Sequence, residues 1–346
     1  MSPSAQIPAR NDFIDYLKGV LIFLVVCGHT IEYPAPPGDT AFYEDPLFKA
    51  IYIFHMPLFM AVSGFVSFYG IYSSDFLFCV QKRIRQLVVP AICWPLLNLL
   101  CALLVFALLQ QSLAGGFHAF KHWIPSFRPG LWFLWAVFGS MATVAALRKF
   151  KLDRLEFFAI TTVAFLFLPD GGDIYLFKFT FPFFCLGYAL AKKDQIHLPS
   201  KIHPLLATTI FALSILCYVL WTRDTYVYVT RMHPAVNNLY NIALRWFAGA
   251  VVSAAFILLM RAVYRFSSST ILINWGRRSL DIYVIHSWFF FGLNFLDRPA
   301  LHAWWFSFLA APFFAGLICF VAYECGQGLS HIPITRTLLL GQSRKS

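Results

Sequence analysis

Ten apolar stretches run along the chain, separated by short polar or charged segments. They lie near residues 14–33, 47–69, 87–109, 131–147 and 155–169, then near 174–191, 204–221, 239–261, 279–296 and 303–323. Most reach the roughly 17–25 residues that an α-helix needs to cross a bilayer, so the pattern predicts an all-α protein of about ten transmembrane helices. Pro57, Pro90, Pro95 and Pro182 fall inside these stretches, which is tolerable where neighbouring helices satisfy the freed backbone groups. The first stretch follows Asn11, Asp12 and Asp15 and has no small-residue cleavage site after it, so it reads as a permanent span and not as a signal peptide. No connection is long enough for a second folded domain. Residues 1–346 therefore read as a single transmembrane domain with tails at about 1–13 and 324–346.

Charge orients the spans. With the N-terminus inside, the cytoplasmic segments carry eighteen Lys and Arg, clustered at 82–85, 148–154, 192–201, 261–278 and 336–345, and the outer segments carry five. The positive-inside rule then puts both termini in the cytoplasm. Segment 31–46 suits the outer side, since it holds Glu32, Asp39, Glu44 and Asp45 and no Lys or Arg. The longest outer stretches, near 110–130 and 222–238, contain Trp123, Tyr226 and Tyr228. Composition agrees: 59% of residues are hydrophobic and 12% are charged, about half the charge of an ordinary soluble domain. The net charge of +11 would suggest nucleic acid in a soluble chain, but here it specifies topology, and no nucleic-acid module accompanies it. The eight cysteines form no CxxC pair and read as small apolar packing residues.

Four basic residues fall within the apolar stretches: Lys18, Lys49, Lys178 and Arg245. Lys49 sits near a span end, where it can snorkel. Lys178 and Arg245 lie deeper, and with few carboxylates in the spans to pair with them a polar cavity is the favoured explanation over a structural ion pair. The first span, DYLKGVLIFLVVCGHT, carries Asp15, Lys18 and His29. Eleven residues at about 100° each bring Lys18 and His29 within roughly 20° on one face, about 16 Å apart along the axis. A stripe of ionisable groups on an otherwise apolar helix faces protein or water. His55 enters the second span at about the depth of His29, and His286 lies in the ninth, nearer the midplane. Three histidines invite a metal, but no HxxxH-type spacing supports one and none is expected.

At these residues the sequence resembles the acyltransferase family 3 of integral membrane O-acyltransferases, and most of all the branch acetylating exopolysaccharides and fucose-type oligosaccharides. Lys18 and His29 match the family's basic residue, ten positions and histidine. FHMPLF at 54–59 with SGF at 63–65, Arg83-Ile84-Arg85 before the third span, LWFLW at 131–135 and SLDIYVIH at 279–286 complete an ordered set. Many members carry Arg where this chain has Lys18, and Lys lacks the bidentate phosphate fork. No esterase-like domain is appended, which argues against peptidoglycan as acceptor.

The resemblance implies transfer of an acyl group, usually acetyl from cytoplasmic acetyl-CoA, to a saccharide hydroxyl, polymeric or lipid-linked, in a cell inner membrane. Arg83, Arg85 and Lys18 are then expected to meet the donor's phosphates, and the rise from Lys18 to His29 suits a pantetheine arm. His29 is the candidate general base or transient acyl carrier, Glu32 its orienting acid, and His55 and Arg245 candidates for the oxyanion or the acceptor. Trp132 and Trp135 fit a sugar-stacking role or an interfacial aromatic belt, and Lys178 and His286 complete the expected acceptor side. Two other classes stay open: a transporter or flippase for a saccharide or lipid-linked precursor, against which no internal repeat is seen, and a non-catalytic subunit of polysaccharide assembly machinery.

Overall fold

The computed structural model describes residues 10–35, 38–109, 131–193, 203–293 and 303–342. The expected outer stretch at 110–130 lies outside these residues, as do Lys201, Arg298, Arg344 and Lys345. The described residues are helical throughout, with no strand among them. In chain order the main helices are α1 (Asp12–Glu32), α2 (Pro46–Tyr52), α3 (His55–Tyr72), α4 (Phe76–Arg83) and α5 (Val89–Leu109). They continue with α6 (Trp132–Lys149), α7 (Leu155–Leu166), α8 (Ile174–Lys192), α9 (Pro204–Leu220) and the short α10 (Val227–Thr230). Last come α11 (Leu239–Phe266), α12 (Thr270–Arg277), α13 (Ser279–Leu293), α14 (Ala311–His331) and α15 (Pro333–Leu338).

Each of the ten expected stretches overlaps helix, and six helical segments are long and apolar enough to cross a membrane. The lipid-facing surface is visible on α5, where Ile92, Leu96, Leu100, Leu104 and Leu108 are exposed. Their four-residue spacing lays them in one stripe along the helix. The chain is thus a polytopic, all-helical membrane protein.

Proline shapes the two irregular spans. Pro57 has no N–H, and its ring clashes with the carbonyl four residues back. The second span accordingly breaks at Ile53 and Phe54, separating α2 from α3. In the third span, Pro90 stands four residues after Gln86, and a π-helical turn at Ile84–Val88 absorbs the mismatch between α4 and α5. Arg83-Ile84-Arg85 therefore lies within one helical run from Phe76 to Leu109, ahead of its apolar stretch. Close helix crossings fix the core. A Cβ on Gly64 of α3 would stand 2.0 Å from Phe184 O of α8, and one on Gly187 of α8 would stand 1.8 Å from Ala61 O, so the two backbones meet through paired small residues.

α14 runs to His331, beyond the expected start of the tail at 324. After it the chain turns back onto the bundle. Trp94 Nε1 donates to Leu339 O at 2.7 Å, Leu340 is buried, and the Gln342 amide donates to both oxygens of Asp281, at 3.1 and 3.0 Å. Gly341, at φ +62°, lies against Gln86 O, the carbonyl that Pro90 frees, and a Cβ there would approach to 2.3 Å. Residues 333–342 thus form a strap joining α5 to α13.

Candidate active site

The site begins at the outer end of α1. His29 and Glu32 are three residues apart and so share a helix face, with Nδ1 of His29 3.4 Å from Oε2 of Glu32. The same oxygen accepts the Tyr52 hydroxyl at 2.9 Å. Tyr52, the last residue of α2, reaches α1 because residue 28 is glycine: a Cβ there would lie 2.7 Å from Tyr52 Cε2. Phe48 stacks on the opposite side of the ring, centroids 3.7 Å apart. An ionised carboxylate only accepts, so contact with Glu32 makes Nδ1 of His29 the N–H and leaves Nε2 with the lone pair. That is the tautomer of a general base held by an acid.

Two further imidazoles join it from other helices. At the break after Tyr52 the carbonyl of Ile51 accepts the Phe54 N–H at 3.3 Å and also meets Nδ1 of the His55 ring at 2.9 Å. His286 of α13 is fixed the same way, its Nδ1 2.6 Å from Tyr283 O and 3.2 Å from Ile282 O. Carbonyls only accept, so Nε2 is the lone-pair nitrogen of both neutral rings. His286 stacks on His29 with centroids 5.4 Å apart and planes at 24°. The Tyr52 ring stands 4.7 Å from His55, so one tyrosine touches both the His29–Glu32 pair and His55. Among the described residues no group of three His, Cys, Asp or Glu is disposed to hold a metal.

An aromatic column links the separate sequence motifs. Phe59 packs on Phe133 at 5.1 Å, Phe133 on Tyr283 at 5.6 Å and Tyr283 on His286 at 5.5 Å. The Phe133 N–H also donates to the Tyr283 hydroxyl at 3.3 Å. Beside His55 a cavity of about 10 Å³, lined by Tyr52, His55, Trp132, Tyr226, Tyr228 and Arg245, has room for about one water. Burial, and after it the charge of Glu32, holds the Tyr228 hydroxyl well above its ordinary range. The same two causes push Tyr43 up to about 12, so both phenols stay protonated and able to donate. Trp132 faces this cavity, whereas Trp135 is exposed on the outer surface of α6.

The deep cations have different surroundings from those expected. Lys178 does not open onto a wet cavity. Its ammonium, 1% exposed with the rest of the residue, pairs with Asp170 at 2.6 Å and donates to the carbonyls of Leu166 and Leu168. Asp170 precedes α8 and folds back over it, so the structural pair is the arrangement found. Arg245, fully buried, has all three guanidinium nitrogens engaged. It donates to Thr225 O at 2.6 Å, Asp224 O at 3.0 Å, Tyr226 O at 3.2 Å, and also to Arg231 O and Thr230 Oγ1. It gathers the carbonyls of loop 224–231 and leaves no N–H for an oxyanion.

At the other end of α1, Asp15 sits among Arg10, Lys18 and Arg277, with Lys18 Nζ at 3.4 Å and Arg277 Nε at 3.5 Å. Arg83 donates to Gln86 Oε1 at 2.9 Å, and Arg85 is exposed. Among the described residues no hydrogen bond or ion pair joins Lys18 to either arginine. Sequence reasoning passed over Tyr52. Its place three residues before His55 was the available signal.

A family model described as an acyltransferase domain matches residues 11–324. Among characterised proteins, the chain is 32% identical over 259 residues to the nodulation protein NolL of Sinorhizobium fredii, covering 73% of this chain and 69% of that protein. It is 28% identical over 296 residues to the nodulation protein NolL of Mesorhizobium japonicum, covering 80% and 75%. No solved structure matches.

Proposed function

The chain belongs to the acyltransferase family 3 of integral membrane proteins, and from that premise we propose that it moves an acetyl group from cytoplasmic acetyl-CoA to a hydroxyl of a saccharide destined for the cell surface. The observation that carries this reading is the relay from Tyr52 through Glu32 to His29, with His286 and His55 beside it. A basic nitrogen held in one tautomer by a carboxylate is the arrangement a hydroxyl needs in order to become a nucleophile.

In the proposed reaction, Nε2 of His29 takes the proton of the acceptor hydroxyl as its oxygen attacks the thioester carbonyl carbon. The tetrahedral intermediate collapses with cleavage of the C–S bond, and the imidazolium returns its proton to the departing CoA thiolate. Glu32 steadies the imidazolium, and Tyr52 holds Glu32. The neutral rings of His55 and His286 present lone pairs, so their part is to accept hydrogen bonds from the incoming hydroxyl and orient it. Tyr228 is the O–H donor available for the developing oxyanion, a task for which Arg245 has no free N–H. Lys18, Arg83 and Arg85, at the end of the bundle that the charge bias assigns to the cytoplasm, attract the donor's phosphates. Trp132 offers a stacking face to the sugar, while Trp135 belongs to the lipid-facing surface and Lys178 to the scaffold.

Acetyl transfer from labelled acetyl-CoA into saccharide, in membranes carrying the wild type or His29→Ala, tests the reading. We expect label in saccharide with the wild type and a fall of roughly 100-fold or more in the variant, the range for losing a general base. Transfer that survives the substitution removes His29 from the chemistry. No transfer by the wild type from an intact donor removes acetyl-CoA or the saccharide from the proposal.

A further inference from the structure

A cavity of about 1000 Å³ opens at the opposite end of the bundle from His29, between the last turns of α3, α6 and α8 and the first turn of α4. Its lining includes Arg148, Lys149, Lys151 and Lys192, set against Asp75 and Asp153. Two of the four cations are committed. Lys192 pairs with Asp153 at 2.6 Å, which also accepts the Tyr188 hydroxyl at 3.1 Å. Arg148 donates to Ile71 O and lies 4.4 Å over the Tyr72 ring. Lys149 and Lys151 are in no ion pair among the described residues, and both are exposed. Lys149 stands 5.6 Å over the Phe76 ring.

Lys151 adds a conformational signal. It stands at φ +61°, the left-handed region where a chain leaving a helix normally uses glycine. A lysine held there against that preference keeps an ammonium at the cavity mouth, and strained backbone of this kind collects at binding sites. The other side of the cavity is apolar. Leu77 and Phe78 on the first turn of α4 are 69% and 61% exposed, and side chains of this kind at a membrane boundary are covered by hydrocarbon.

We propose that this cavity binds the phosphate of an anionic phospholipid, with Lys149 and Lys151 on the headgroup and the acyl chains along Leu77 and Phe78. Free cations beside exposed apolar residues at one membrane face select a ligand carrying both negative charge and hydrocarbon. The phosphate chemistry is shared with soluble phosphate compounds, including the nucleotide end of an acyl-CoA. The apolar rim favours the lipid.

The test uses the full chain in detergent, titrated with phosphatidylglycerol or phosphatidylcholine, with bound lipid counted by native mass spectrometry. The expected result is preferential binding of phosphatidylglycerol, weakened roughly 25-fold in Lys149→Gln/Lys151→Gln, about fivefold for each lysine. Asp75→Asn removes an opposing charge at a position where Asn serves equally well as a helix cap, and it should tighten binding, an effect that misfolding does not produce. Equal binding of the two lipids, or an affinity unchanged in the lysine variant, overturns the site. Displacement of phosphatidylglycerol by millimolar adenosine 3′,5′-bisphosphate in the wild type but not in the lysine variant overturns the lipid and reassigns the site to a soluble phosphate ligand.

Discussion

Replacing Tyr52 by phenylalanine removes one hydroxyl from the relay and leaves the ring, with its packing on Phe48 and Gly28, in place. The lost contact is the 2.9 Å hydrogen bond to Glu32. A hydrogen bond to a charged group contributes about 1.5–3 kcal/mol. If that energy is expressed in the transition state, kcat falls roughly 10- to 150-fold. Binding of the donor, on the far side of the bundle, should be untouched, so KM for acetyl-CoA stays at its wild-type value and the loss falls in kcat. The assay is steady-state acetyl transfer by Tyr52→Phe, Glu32→Gln and the double variant. If Tyr52 acts through Glu32, the two losses are not additive and the double variant is about as slow as Glu32→Gln alone. Multiplying effects, or a Tyr52→Phe enzyme of wild-type kcat, would refute the relay. A loss confined to thermal stability would reduce Tyr52 to a packing residue.

Two other perturbations separate scaffold from site. Asp170→Asn strands the Lys178 ammonium among carbonyls and should destabilise the protein by about 3–5 kcal/mol, read as a lowered unfolding midpoint in detergent; Lys178→Met combined with Asp170→Leu should recover much of that loss, and an unchanged midpoint in the single variant would show that the pair is wet. Arg83→Ala and Arg85→Ala should each raise KM for acetyl-CoA with little change in kcat, and an unchanged KM would remove the phosphate role.

Much of the scaffold was readable from patterning, because lipid imposes a length and an apolar composition on every segment that crosses it. The stretches at 14–33 and 174–191 are recovered as α1 and α8 within a residue or two. The His29–Glu32 pair was equally legible, since helical periodicity alone places residues three apart together. Long-range partners were not. Tyr52 reaches Glu32 across twenty positions, and that contact depends on a glycine on one helix and the end of another. The surroundings of Lys178 were misjudged because the carboxylates considered were those inside spans, whereas Asp170 lies in the turn before α8. Arg245 was misjudged for a related reason: its partners are backbone carbonyls, which no inventory of charges reveals. The break at Ile53 was foreshadowed by Pro57, but the contact of the His55 ring with the Ile51 carbonyl, which fixes the tautomer, was not.

The strap at 333–342 bears on how the molecule is made. These residues leave the ribosome after every helix they join, and they fasten the third span to α13 through Trp94, Gln86 and Asp281. Domains assemble from their N-terminal side during synthesis, so the seam between those helices stays unlatched until residues 333–342 emerge. A nascent chain stalled at residue 332 would hold all the groups proposed for catalysis in a bundle not yet fastened on that side.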